Sequence, residues 1–374
     1  MAIYLDNAST AKPCKEAIES ALRCMESVYG NPSSLHKPGL EAEEEINAAR
    51  KAVSKALSVN PETVFFTSCA TEANNTLVIG AWNKFHKRKR RVVISSVEHP
   101  SIEEPIKYIE SLGAEVIRIN PENNGQTFTE AIDDNTFLCS VMSVNNETGT
   151  NFPIKEIFAN VKRKNPECIT HTDAVQAFMK IPLKPLDIGA DSVTISAHKI
   201  HGIKGAGALY IKKGLTIPPL LRGGGQERGF RSGTEAVPAI AAFGAAVKAH
   251  ILDIDRMYEA AAAKMSGLRV RLSSLPFITI NSPPDSSPFI LNFSVDGVPS
   301  EVMLHFLESV GIYVSSGSAC SKGKGSHVLK AFGITDKDAD EAIRVSISNE
   351  TTDEELEILT DSIIYGFNRL QRKR

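Results

Sequence analysis

Four stretches of this chain set reactive side chains where a strand-like pattern ends. "DSVTISAHKIHGIKG" places His198 and Lys199 straight after alternating apolar positions, and "ECITHTDAVQ" delivers Asp173 with Gln176 just beyond it. "VVISSVEHP" ends in His99, and "TVFFTSCATEANN" runs into small and hydroxyl residues around Thr71. Each has an ordinary reading and a chemical one. Most lysines are solvated charges, yet a lysine of depressed pKa at a pocket rim is a Schiff-base nucleophile. Asp173 is either a helix cap or the partner of a protonated pyridine nitrogen. Thr71 opens either an ordinary helix or one whose backbone N–H groups hold a phosphate. A lone histidine such as His99 is more often structural. Taken together, a lysine, a carboxylate, a phosphate cradle and a histidine at four strand ends describe a single cofactor, pyridoxal phosphate.

A fifth stretch, "SSGSACSKGKGSHVLK" (315–330), puts Cys320 among glycines, serines and lysines. Free cysteine usually behaves as a small buried hydrophobe, whereas this composition is that of a mobile surface loop. A thiol is exposed there only if its chemistry is wanted, and Lys322 and Lys324 favour the thiolate. "LRGGGQERGFRSGTE" lacks the GxxxxGK[ST] pattern, and "GIKGAGALY" lacks GxGxxG between a strand and a helix. Nucleoside triphosphate and dinucleotide sites are therefore disfavoured.

The elements that must position these residues alternate. Apolar strands at "TVFFTS", "RVVISSVEH", "AEVIRIN", "TFLCSVMSV", "CITHTDA" and "DSVTISAHK" are separated by helical patterns and followed by "GALYIKK". This predicts an α/β fold, a mostly parallel sheet flanked by helices, with ligands outside the carboxyl ends of the strands. A helix over Val237–His250, continuing through Lys264, leads to short strands and two helices, Ser300–Val310 and Asp353–Leu370. We read residues 15–255 as a large cofactor-binding domain, and 1–14 with 256–374 as a smaller α+β domain that carries the Cys320 loop.

Composition limits the alternatives. The 42 Lys+Arg against 44 Asp+Glu leave a net charge of -2, with no field that advertises nucleic acid or membrane. The basic run His86–Arg91 reads as a solvated helix end. Six cysteines show neither CxxC nor metal-ligand spacing, so we expect reduced thiols and no metal. No targeting pattern opens the sequence and no apolar run is long enough for a membrane span, which points to the cytoplasm.

The segments "YLDNAST", "YGNPSSLH", "FTSCATEANN", "VEHP", "VNNETGT", "HTDAVQ", "SAHKIHGIKG", "GGGQERGFRSGT" and "SSGSAC" follow one another as in the cysteine desulfurases of the class V aminotransferase group, which the chain resembles from about Asp6 to Asn349. The resemblance implies a homodimer of PLP fold type I that turns L-cysteine into L-alanine. Lys199 would carry the cofactor, Asp173 its pyridinium nitrogen and Gln176 its ring hydroxyl, with His99 stacked on the ring and moving protons. Ala70, Thr71, Ser196 and His198 would hold the phosphate, joined by Thr234 from the other subunit. Asn146 matches a cofactor and substrate position, Asn31 a substrate position, and Arg344 the clamp for the substrate carboxylate. Cys320 matches the nucleophile that takes the sulfur to an acceptor protein, for iron–sulfur cluster assembly or for tRNA or cofactor thiolation. Cys69 departs from the family's frequent glycine and sets a second thiol near the cofactor. Selenocysteine lyase, cysteine sulfinate desulfinase and a non-catalytic sulfur-pathway scaffold share enough of the pattern to stand as alternatives.

Overall fold

A computed structural model describes residues 2–121, 125–316 and 326–371. Thirteen strands are assigned among these: β1 (Ile3–Tyr4), β2 (Val64–Thr67), β3 (Arg91–Ser95), β4 (Glu115–Ile119), β5 (Thr136–Ser140), β6 (Ile169–Asp173), β7 (Ser192–Ser196), β8 (Gly207–Ile211), β9 (Ile278–Ile280), β10 (Ile290–Val295), β11 (Ile312–Tyr313), β12 (Ser315–Ser316) and β13 (Ala342–Ser346). The large sheet runs β2-β8-β7-β6-β5-β3-β4, parallel except for β8, which is antiparallel to both neighbours. Strands β5 to β8 are buried along their whole length, as strands covered on both faces must be.

Alternate residues of the strands feed opposite cores. Val93, Cys139, Val193 and Ile195 pack with helices α1 (Lys15–Ser27), α2 (Lys37–Leu57) and others on one face. Val92, Ile94 and Leu138 pack on the other face with α3 (Ala70–Phe85) and α4 (Pro100–Ser111), joined by Phe137, the extra residue where the register of β5 shifts against β3. The sequence pattern led us to expect one helix from Val237 through Lys264. Instead α5 (Gly125–Ala131) and α6 (Ile154–Lys164) are followed by two separate helices, α7 (Val237–His250) and α8 (Ile254–Ser273), bent by 75°. The break lies where the chain changes cores. Phe243 and Val247 of α7 belong to the large sheet, while Met265, Leu268 and Leu272 of α8 pack against the small antiparallel sheet β12-β13-β10-β9.

β1 pairs with β11, so Ile3, Leu5 and Ala8 lie in this second core. The chain then crosses to the large sheet, where Ala11 N–H and Cys14 N–H donate to the carbonyls of His198 and His201, each at 2.8 Å. The short "DNAST" segment thus bridges the two cores beside Lys199. In the basic run, Lys89 pairs with Glu167 at 2.7 Å and Arg91 with Glu115 and Asp133. The five described cysteines are all free thiols. Among the described residues no single helix is long and apolar enough to cross a membrane.

Candidate active site

The carboxyl ends of the parallel strands open on one cavity of ≈ 380 Å³, where Thr71, His99, Asp173, Gln176, Lys199 and Arg344 meet. Sheet topology accounts for the convergence: β2, β3, β6 and β7 end on the same side, and each is followed by a residue turned into the cavity.

Lys199 lies on a short 3-10 turn directly after β7. Its ammonium donates to the carbonyls of Ala8 and Ser9, the latter at 2.7 Å. Burial first, and then the nearby Arg344 cation, lower its pKa to about 8, with Asp6 and Asp173 opposing. The amine therefore loses its proton close to neutral pH, which is what nucleophilic attack on a carbonyl requires.

Asp173 ends β6 and is 6% exposed. Its Oδ1 accepts from Val175 N–H at 3.0 Å and its Oδ2 from Asn74 Nδ2 at 2.8 Å. Asn74 also donates to Ser101 Oγ at 2.8 Å, which stands 2.8 Å from His99 Nδ1. Ser101 N–H donates to the same ring nitrogen at 3.1 Å. With Nδ1 accepting, the neutral ring carries its proton on Nε2. Burial lowers the His99 pKa, Asp173 opposing and Lys199 reinforcing it, so the imidazole stays neutral. The pattern for His99 was visible in the sequence, since a histidine N-cap followed by Pro100 starts α4. The linking residues Asn74 and Ser101 were not, because only the packing of α3 against α4 brings them together.

α3 begins after Cys69 with no side-chain cap, so its first N–H groups are left for a ligand in the cavity that Ala70 and Thr71 line. Gly207 makes the approach possible. It pairs with both Thr67 and Ser196, and a Cβ there would stand 2.7 Å from the Cys69 carbonyl carbon and 2.9 Å from Ala70 N. Ser196 Oγ is buried without a hydrogen-bond partner, an orphan that an anionic oxygen at this position would satisfy. His198 reaches Thr10 Oγ1 at 3.2 Å, and burial lowers its pKa to about 4, so it acts as a neutral donor. An unpaired helix start, an orphaned hydroxyl, a buried carboxylate and a depressed lysine fit pyridoxal 5′-phosphate in its phosphate, ring-nitrogen and aldehyde groups.

Arg344, on β13, comes from the small sheet. Nη1 donates to the Asn146 carbonyl at 2.9 Å; Nη2 donates to Asp6 Oδ1 and to Ser9 Oγ, both at 2.7 Å. Nε is buried and unpartnered. The resemblance makes Arg344 a clamp for the substrate carboxylate, a task suited to a two-pronged donor, yet Nη2 is already committed. Nε–H and the second Nη1 proton are what remain for a carboxylate. Glu147 lies alongside and accepts from Ser326 Oγ, and burial raises its pKa to about 7.

Not every expected residue reaches this cavity. Asn31 and Thr234 are exposed and absent from its wall, and Ser196, buried behind it, is not among the residues that line it. Cys320, with Lys322 and Lys324, lies outside the described residues. Sequence reasoning also passed over Glu98, which is buried next to His99 in the chain. Its Oε1 accepts from Ser95 Oγ at 2.7 Å and Met142 N–H at 2.8 Å, while Oε2 has no partner. Burial raises its pKa to about 8. Between the unfolded value near 4.5 and this folded value the native state holds the extra proton, so this group's contribution to stability declines as pH rises through that window. Glu98→Gln is therefore expected to gain stability relative to wild type on going from pH 5.5 to pH 8.5, read from urea midpoints. A difference that is flat with pH would show Glu98 to be ionised in the fold.

A lysine and a buried carboxylate on adjacent parallel strands, facing a helix start, define a pyridoxal-phosphate enzyme of fold type I. The family model for class-V aminotransferases matches residues 3–359, and the chain belongs to that family. A NifS/IcsS protein homolog from Lactobacillus delbrueckii subsp. bulgaricus is 38% identical over 98% of this chain and 97% of its own length. The cysteine desulfurase IscS of Clostridium botulinum is 36% identical over 96% of this chain and 92% of its own length. Among solved structures, a NifS-like protein superposes with a TM-score of 0.92 at 34% identity, over 99% of this chain and 100% of that one. The structure of SspA in complex with cysteine gives a TM-score of 0.83 at 30% identity, over 94% and 100%.

Proposed function

We propose that this chain is a cysteine desulfurase that uses pyridoxal 5′-phosphate to convert L-cysteine into L-alanine and passes the sulfur, as a persulfide on Cys320, to an acceptor protein. The observation that carries the reading is the convergence of Lys199, Asp173, His99 and Arg344 on one cavity of a class-V aminotransferase. When bound, the cofactor supplies an electron sink in conjugation with the substrate amine, which acidifies Cα–H and weakens the bond from Cβ to sulfur.

The chain's residues do the rest. Lys199 would hold the cofactor, and its amine, when free, would serve as a base toward the substrate. Asp173 keeps the ring nitrogen protonated, and Gln176 donates to the ring oxygen. Ala70, Thr71, Ser196 and His198 hold the phosphate, and Asn146 lies beside ring and substrate. His99, neutral and buried with its proton on Nε2, would stack on the ring and offer that N–H as a donor to the reacting groups. The Cys320 thiolate attacks the substrate sulfur; an S–S bond forms as the Cβ–S bond breaks, and the electron pair stays with the carbon skeleton, which is protonated and leaves as alanine.

The active form is a homodimer, with Thr234 completing the phosphate site of the partner and Asn31 contributing near the substrate. Both are exposed on this chain. The segment leading to Thr234 is pinned by Glu227, which takes Arg50 Nη2 at 2.7 Å and Phe66 N–H at 2.9 Å. The exposed residues Ile18, Leu22, Met25 and Tyr29 form an apolar stripe on and just beyond α1 that is also suited to contact with a second copy.

Alanine release from L-cysteine, set against L-selenocysteine and L-cysteine sulfinate, tests the assignment; release from one of the other two alone would refute it. Arg344→Ala is expected to weaken cysteine binding by about 2 to 5 kcal/mol, the cost of stripping a charged partner from a buried pair. Arg344→Lys should recover part of this, since it keeps the charge without the planar fork. An unchanged KM for cysteine in Arg344→Ala would remove the residue from the substrate site.

A further inference from the structure

Lys180, four residues after Gln176, is 8% exposed and has no part in the chemistry described so far. Its Nζ stands 3.2 Å from Gln176 Oε1 and 5.8 Å from the centre of the Phe289 ring. On the other end of the same amide, Gln176 Nε2 donates to the Ala8 carbonyl at 2.9 Å. Gln176 lines the cofactor cavity, whereas Lys180 lines a small separate cavity behind Lys199.

A glutamine amide has two ends of nearly equal shape, and its neighbours decide which end points where. A carbonyl such as Ala8 O only accepts, so it draws the –NH2 group. An ammonium only donates, so Lys180 draws the oxygen. The two together leave the second N–H of Gln176 for the cavity. We infer that Lys180 is a positioning residue of the reaction, holding the Gln176 amide so that an N–H, not its oxygen, meets the ring oxygen of the cofactor. This rests on the pyridoxal-phosphate reading above. The distinction matters because a donor favours an anionic ring oxygen, whereas a carbonyl oxygen in the same place would oppose it.

The surroundings of Lys180 are cationic or neutral. Lys199 and Arg344 act on it through space, it acts in turn on His198 and His201, and His250 shares its cavity. Among the described residues no carboxylate pairs with it. Burial and these cations lower its pKa to about 7. The uncharged amine can still donate to Gln176 Oε1, but it also carries a lone pair, so Lys180 discriminates between the two ends of the amide most strongly below that pKa, and above it the Ala8 carbonyl does most of the orienting.

The test is the pH titration of the visible absorbance of holoenzyme without substrate, in wild type, Lys180→Met, Gln176→Ala and the double variant. Loss of the donor to an anionic ring oxygen favours the protonated form of the lysine-bound cofactor. The midpoint is therefore expected to rise by about half a unit or more in Lys180→Met. The same substitution in the Gln176→Ala background should move it far less, because the amide through which Lys180 acts is gone. Lys180→Gln, which keeps an N–H donor, should lie between wild type and the Met variant, and it serves in place of Lys180→Met if that protein does not fold. Unmoved midpoints in the Lys180 variants, or shifts that add fully to that of Gln176→Ala, would overturn the inference. A wild-type protein in which borohydride fixes no cofactor would instead overturn the reading on which it rests.

Discussion

Lys199→Ala is expected to yield a folded protein in which borohydride fixes no cofactor, with alanine formation reduced by about 10³-fold or more. The size of the effect follows from the geometry. Lys199 is in the cavity wall shared with Asp173 and Thr71, and its amine is lowered to about 8 while hydrogen-bonded to the neutral carbonyls of Ala8 and Ser9. Lys180 is the discriminating control, since its pKa is lower still, at about 7, yet its Nζ points at Gln176 from outside that cavity. Peptide mapping after reduction of wild-type protein should place the adduct on Lys199. An adduct on Lys180 or Lys204 would refute the assignment, whatever the kinetics.

The outline of the candidate site was legible because its residues sit at strand ends, and strand ends show in a sequence. Apolar alternation stops at Ser196 and Asp173, and the direction of the sheet turns the residues at and just beyond these positions toward a ligand. The histidine at the start of α4 was legible for the same reason. What was not legible depends on elements distant in sequence. Asn74 joins Asp173 to Ser101 only because α3 and α4 pack side by side. Arg344 appeared as a free clamp because nothing local shows that Asp6, 338 positions away, occupies Nη2. The "DNAST" segment carries no periodicity, yet its carbonyls hold Lys199 and Gln176, and its Ser9 hydroxyl holds Arg344. The break between α7 and α8 was missed because helix propensity continues across residues 251–253, while the hydrophobic partner changes there.

Cys320→Ser is expected to separate the two halves of the reaction. Cofactor attachment and the spectral response to added cysteine rest on Lys199, Asp173 and His99, and these should persist. Sulfur transfer should almost vanish, because a serine hydroxyl stays protonated at neutral pH, whereas a thiol of pKa about 8.5 is partly ionised, and more so beside lysines such as Lys322 and Lys324. The described residues on either side agree with a role at the cavity: Ser316 lines it, and Ser326 hydrogen-bonds to Glu147 in its wall. The chain therefore leaves and rejoins the described fold at the substrate end of the site. Cys69 supplies the internal control, being a thiol of the same cavity at the phosphate end. Brief exposure of wild-type protein to cysteine, followed by mass spectrometry, should find persulfide on the peptide that bears Cys320, and Cys69→Ala should remain active. Persulfide confined to Cys69, or wild-type sulfide release by Cys320→Ser without added thiol, would mean that sulfur leaves the substrate by another route and that the "SSGSAC" loop takes no part in it.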